Sequence, residues 1–353
     1  MLSFSAPLTS AKIPKYPVIL CHGFSGFDHL FALPAFNPSS TIPLTDKFKE
    51  LLQSNKENQI QKPIASSIDN RSMLDLDADT ASNTKYLVEY WNGVREHLKS
   101  KGCTILVAKV PPFAGIETRA LALHNFILKS VPKLRKSNNV PNDQPVKINL
   151  VAHSMGGLDC RYLIHLLNNR KIIHNIKPKP NSNNDSNNDS NIILKTTTLP
   201  YQIVSLTTIS TPHRGTSAAD FAMNYTPTSI ITNYFPSIFQ LTTSYMKNFN
   251  NLVKDDPNVR YFSYGATFTP NPASMFLITW KIVYDNEGDN DGLVSLSSCK
   301  WGKFIGYLDD VDHADLINWM GPMKMVKLAM GVPNFNPKYF YLSVMDNLAS
   351  NGF

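Results

Sequence analysis

Short apolar runs alternate along the chain with stretches whose apolar residues recur at helical spacing, the rhythm of a parallel sheet with crossover helices. The first run, Pro17-Val-Ile-Leu-Cys21, predicts a strand that empties into the glycine-punctuated loop His22-Gly23-Phe24-Ser25-Gly26. Leu87, Tyr90, Trp91, Val94 and Leu98 predict a helix over 85–100, and a strand follows over 104–110. Helices are predicted over 116–131 and 155–167, on either side of an apolar strand at 147–152. The sheet resumes at 201–209, with further strands expected around 259–267 and 276–284 and a last helix over 341–349. Residues 217–253 read as mainly helical and are rich in aromatics and methionine.

Between these elements, residues 34–83 are rich in Pro, Ser, Asn and Asp and read as a surface excursion. Residues 171–199 enclose a run at 181–191 made only of Asn, Ser and Asp, which cannot bury a core and predicts a disordered insertion. No internal repeat appears, so the expectation is one α/β domain over 1–353 with insertions, two domains being the alternative. A chain of 353 residues that is 42% apolar and 17% charged is not a disordered polyelectrolyte. It also lacks any run of about 18 apolar residues that would read as a membrane-crossing helix. The net charge of +7 suits an anionic lipid or a nucleic acid and chooses neither. Cys21, Cys103, Cys160 and Cys299 are far apart and form no CxxC pair, which predicts buried reduced thiols. The N-terminal stretch has no apolar core of a secretory signal.

Chemistry concentrates in Ile148-Asn-Leu-Val-Ala152-His153-Ser154-Met155-Gly156-Gly157-Leu158, where a serine stands between a strand and a helix. Small residues two before it (Ala152) and two after it (Gly156) leave room for a strained elbow that projects Oγ above the sheet. The bland alternative, Ser154 as a helix cap, leaves His153 and the double glycine without a role. A neutral serine needs a base, and the base needs an orienting acid, in the chain order Ser, acid, His. Beyond the elbow stand His165, His174, His213 and His313. The first two follow the serine too closely for an intervening acid, His213 has no suitable acid ahead of it, and His313 has Asp291. Asp285 and Asp289 compete with Asp291, because turns favour Asp for backbone reasons alone. His313, in Leu308-Asp-Asp-Val-Asp312-His313-Ala-Asp315, also fits a solvated acidic turn. Oxyanion donors are expected from the backbone N–H groups of Met155 and Phe24. Such chemistry needs no cofactor.

The segments VILCHGFSGFD, NLVAHSMGGLDCRYL, SLTTISTPHRG, NDGLVS and DHADLINW stand in the order found in triacylglycerol lipases of the α/β-hydrolase superfamily. From Tyr16 onward the chain resembles fungal mitochondrial triacylglycerol lipases and, through them, bacterial true (lactonizing) lipases. The resemblance implies a mostly parallel central sheet flanked by helices, with a helical lid insertion placed at 217–253. That lid expectation stands beside plain core packing of the same aromatics. It implies Ser154 as nucleophile, Asp291 as orienting acid, His313 as base, and Phe24 and Met155 as oxyanion donors. It further implies a lipid ester at a membrane or droplet surface as substrate, and mitochondrial residence, for which Lys12 and Lys15 in a stretch without acids add a little. No nucleic-acid motif competes. A phospholipase or acyltransferase would carry the same triad, whereas a silent lipid-binding relative would have lost a member of it. Bacterial relatives hold a structural Ca²⁺ through an acid two residues after the histidine, where Asp315 stands. The stretch 266–280 offers no second carboxylate, so no metal is expected. Their disulfide has no counterpart either, with Ser297 near its second position and Cys299 displaced.

Overall fold

The computed structural model describes residues 1–2, 10–24, 29–31, 87–168, 199–225, 235–319 and 334–353, with Lys324 and Met330. The chain divides into two compact units. The smaller, His29–Glu89, contributes strands β2 (His29–Phe31) and β3 (Leu87–Glu89), paired antiparallel with Leu30 opposite Val88. The surface excursion expected at 34–83 lies outside the described residues, as does all of 171–199 except its last residue.

In the larger unit, β1 (Val18–Cys21) is followed by α1 (Val94–Ser100), β4 (Ile105–Val107), α2 (Ile116–Ser137), β5 (Val146–His153) and α3 (Gly156–Asn168). Then come β6 (Tyr201–Ile209), α4 (Ser217–Tyr225), α5 (Pro236–Gln240), α6 (Thr243–Leu252) and β7 (Arg260–Ala266). The chain ends with α7 (Leu277–Glu287), α8 (Leu296–Cys299), β8 (Lys303–Leu308) and α9 (Pro337–Ser350). Six strands form one sheet in the order β4-β1-β5-β6-β7-β8, each parallel to its neighbours.

A parallel sheet needs cover on both faces, which is why β1 is apolar and buried throughout and β5 is buried at every position but Lys147. Ile19, Ile148, Leu150 and Leu206 pack with Leu123 and Ile127 of α2 and Leu163 of α3 in one core. Elsewhere, Phe340 of α9 meets Tyr264 of β7 edge-on, and Tyr341 meets Trp91. All four cysteines are buried free thiols.

Three predicted elements come out differently. Residues 276–284, expected as a strand, form helix α7: a short apolar run carries no period that separates the two states. Gly288, at φ +87° and ψ −146°, ends that helix in a conformation that glycine alone accepts without strain. The helix expected over 85–100 is split, because Gly93 at φ +67° separates β3 from α1. The helix expected to stop at Val131 runs through Pro132 to Ser137, since Leu134 continues its buried stripe. Within 217–253, the expected helices are α4, α5 and α6, while residues 226–234 lie outside the described residues.

Candidate active site

Strand β5 delivers Ser154 into a turn with φ +55°, a left-handed conformation that is strained for any side-chain-bearing residue. Sheet and loop hold it there: Ser154 N–H donates to Ile209 O (2.9 Å), and its carbonyl accepts from Thr211 Oγ1 (2.7 Å) and Gly157 N–H (3.1 Å). The small residue after the serine is required by space, because a Cβ on Gly156 would stand 2.6 Å from Cys21 O and 2.7 Å from His22 O.

Asp291 follows α7, fully buried, and its Oδ1 accepts the N–H groups of Leu293 (3.0 Å) and Val294 (2.8 Å). Its Oδ2 faces His313 Nδ1 at 2.7 Å, and its carbonyl accepts the His313 N–H at 2.8 Å. Both ends of the histidine are thereby set by one residue, with Nδ1 occupied and Nε2 left for proton transfer. The His313 ring lies 4.5 Å from that of His153, the residue before Ser154. The competing acids do not reach it: Asp285 is exposed and paired with Lys281 on α7, and Asp289 is exposed. His213 is buried against Thr208 (3.0 Å) and stacked on Trp301, and burial, with Arg161 and Arg214 nearby, holds its pKa well below the ordinary value. His165 lies on α3, and His174 is outside the described residues.

The loop after β1, where an oxyanion donor is expected, is held by side chains that sequence reasoning missed. Arg119, wholly buried on α2, donates through Nη2 to His22 O (2.8 Å) and Gly23 O (3.2 Å) and through Nη1 to Pro111 O (3.0 Å). Its Nε donates to Asp159 Oδ2 on α3 at 2.8 Å. Tyr90 Oη accepts the Gly23 N–H (3.0 Å) and is hydrogen-bonded to His153 Nδ1 (2.8 Å). A trans peptide points its C=O and N–H in opposite directions. Drawing Gly23 O onto Arg119 therefore turns the Phe24 N–H the other way. Neither the Phe24 nor the Met155 N–H is taken by a hydrogen bond among the described residues. Gly23 itself lies against Ser154: a Cβ there would stand 2.7 Å from Ser154 Cβ. The available signal for Arg119 was its place on the apolar stripe Ile116, Ala120, Leu123, Ile127, where a charge demands a partner.

Burial pushes the Asp159 carboxyl up to about 6 even though Arg119 pulls it down. Arg119→Met is expected to cost about 3–5 kcal/mol in denaturant unfolding, the range for stripping one partner from a buried pair. A carboxyl whose folded pKa lies above its unfolded one favours folding below the unfolded value and loses that contribution as pH rises through the folded value. Without Arg119 the folded pKa rises further, so the loss should be smaller near pH 5 than near pH 8. Asp159→Asn in the same background should recover part of it; no recovery would mean that packing, not charge, is what Arg119 supplies.

The surroundings of Asp315 do not fit a calcium site. Lys324 Nζ contacts Asp315 Oδ2 and donates to Asp310 O (2.9 Å), so an ammonium already faces the one carboxylate a divalent ion would need. Asp312 turns inward to accept the N–H groups of Ala314 and Asp315 (2.9 Å each).

The family described as "Putative serine esterase (DUF676)" matches residues 96–301. Triacylglycerol lipase 2 of Saccharomyces cerevisiae is 38% identical over 98% of this chain and 94% of its own length. Lipase 1 of Pelosinus fermentans shares the fold with a TM-score of 0.53 at 18% identity, covering 95% of this chain and 99% of its own. Staphylococcus hyicus lipase does so with a TM-score of 0.53 at 15% identity, covering 98% and 99%. The six-stranded parallel sheet is that of an α/β-hydrolase, and the chain belongs to the DUF676 family of serine esterases.

Proposed function

We propose that this protein is a serine lipase that hydrolyses triacylglycerol, and diacylglycerol after it, through an acyl-enzyme on Ser154. The observation that carries the reading is the 2.7 Å contact of Asp291 with His313 Nδ1, the His313 ring lying 4.5 Å from that of His153, which precedes a serine held at φ +55° at the end of a parallel strand. The similarity to a yeast triacylglycerol lipase over nearly the whole chain supports the substrate class. His313 Nε2 takes the hydroxyl proton as Ser154 Oγ attacks the ester carbonyl, and Asp291 stabilises the imidazolium. The Phe24 and Met155 N–H groups receive the oxyanion. His313 returns its proton to the leaving alcohol, then activates water, which releases the fatty acid and restores Ser154.

Offered triolein and phosphatidylcholine together, the wild-type protein should release oleate and diolein, and Ser154→Ala should release neither. Lysophosphatidylcholine as the main product would make it a phospholipase, and oleoyl esters of an added alcohol an acyltransferase. Among the described residues no helix is long and apolar enough to cross a membrane, so contact with lipid is through surface residues in this reading. The net charge of +7 suits an interface coated with anionic phospholipid. Residence in mitochondria belongs to the same proposal, supported by the resemblance and by Lys12 and Lys15, and subcellular fractionation tests it.

A further inference from the structure

Helix α7 is apolar on most of its positions, LITWKIVYDNE, yet packing buries only Val283 completely. At its start Met275 is 73% and Ile278 71% exposed, with Leu277 between them at 38%. Phe276, in their midst, points inward instead: a Cβ on Gly292, next to Asp291, would stand 2.7 Å from Phe276 Cβ. The helix is fastened to the acid loop at its other end too, where Asn290 Nδ2 donates to Gly288 O (3.0 Å) and Trp280 O (3.3 Å). These apolar side chains thus stand on a rigid mount that also carries the catalytic acid.

The placement is not a scatter of surface hydrophobics. Of thirteen large apolar side chains exposed among the described residues, eight lie between Phe221 and Tyr284. They include Phe221 and Tyr225 on α4, the helix that packs against α7. Both helices follow the C-terminal ends of strands, β6 and β7, the side of the sheet where Ser154 also emerges. Lys281, one turn along from Leu277, is paired with Asp285, so the tip carries little net charge. An exposed apolar helix tip whose nearest charges are paired fits an apolar partner.

We propose that the tip Met275–Leu277–Ile278 is a fixed anchor that inserts into the surface of a neutral-lipid aggregate and holds the site against its ester. The proposal rests on the lipase reading and specifies how that site meets its substrate. On a neutral-lipid surface burial of the tip drives adsorption, and the net charge of +7 adds to it only where the coat is anionic phospholipid.

The test measures adsorption of Ser154→Ala protein, which cannot consume the lipid, to a triolein emulsion by flotation. Met275→Ser with Ile278→Ser should weaken adsorption ~tenfold, the consequence of partly losing two inserted apolar chains. Leu121→Ser, which removes an exposed apolar residue of α2, should not. Adsorption of the parent should persist in about 1 M salt, where charge attraction is screened. In otherwise wild-type protein the double substitution should lower the ratio of triolein to p-nitrophenyl acetate turnover by a similar factor, with the melting temperature reporting the fold. Unaltered adsorption of the double variant, an equal loss with Leu121→Ser, or release of the parent by salt each overturns the anchor. Failure of the lipase reading would show separately, as wild-type protein that cleaves p-nitrophenyl acetate but not triolein.

Discussion

Ser154→Ala is expected to lower ester hydrolysis about 10⁶-fold and to abolish covalent labelling by a fluorophosphonate, with the fold intact. Only Oγ is removed. The Ser154 N–H and carbonyl carry its hydrogen bonds to Ile209, Thr211 and Gly157, and alanine keeps both groups. Its Oγ makes no hydrogen bond with a described residue, so nothing buried loses a partner. Alanine meets about the same left-handed strain as serine, and the melting temperature should move by no more than about 2 °C. A residual rate above the uncatalysed one would come from the oxyanion donors alone, which the substitution leaves in place. Labelling at the wild-type rate would show that the nucleophile is another residue.

Asp291→Asn should lower kcat about 10⁴-fold with KM little altered, and the geometry says why. The two oxygens of Asp291 have different tasks: Oδ1 accepts the Leu293 and Val294 N–H groups, and Oδ2 accepts from His313 Nδ1. An asparagine must keep its oxygen toward the two N–H groups, because its NH₂ cannot accept from them. The NH₂ then faces His313 Nδ1 and makes that nitrogen an acceptor, which moves the ring proton to Nε2, where the base must be free. The ring stays in place, since the His313 N–H still donates to the Asp291 carbonyl (2.8 Å). Asp289→Asn, on an exposed side chain of the same loop, should retain near-wild-type turnover. Measuring the two side by side separates the candidates that the DND triplet leaves open, and equal losses would mean that the loop as a whole, not one carboxylate, is required.

The elbow was readable in one dimension because its requirements are local. A strand, a small residue, a serine and two glycines stand within a dozen positions, and the close approach of Gly156 to the Cys21 and His22 carbonyls explains the second small residue. Chain order likewise singled out His313, a topological consequence of laying strands in sequence beside the elbow. By contrast, residues 276–284 could not be read, because an apolar run that short suits a buried strand and an exposed helix alike. Its exposure, the property that gives it a proposed role, is a property of packing and not of order along the chain.

The order of residues was therefore enough for the parallel α/β architecture, the strained serine and the histidine ahead of which an acid must come, since each depends on neighbours in sequence or on chain order. Which of three nearby aspartates meets the histidine, and how the loop around Gly23 is oriented, depended on contacts between distant segments. Tyr90 and Arg119 pin the two peptides around Gly23 from 67 and 96 positions away. Burial is the physical reason: a guanidinium sealed among carbonyls and a carboxylate must satisfy its donors with whatever the fold brings within reach, and no local pattern encodes that choice.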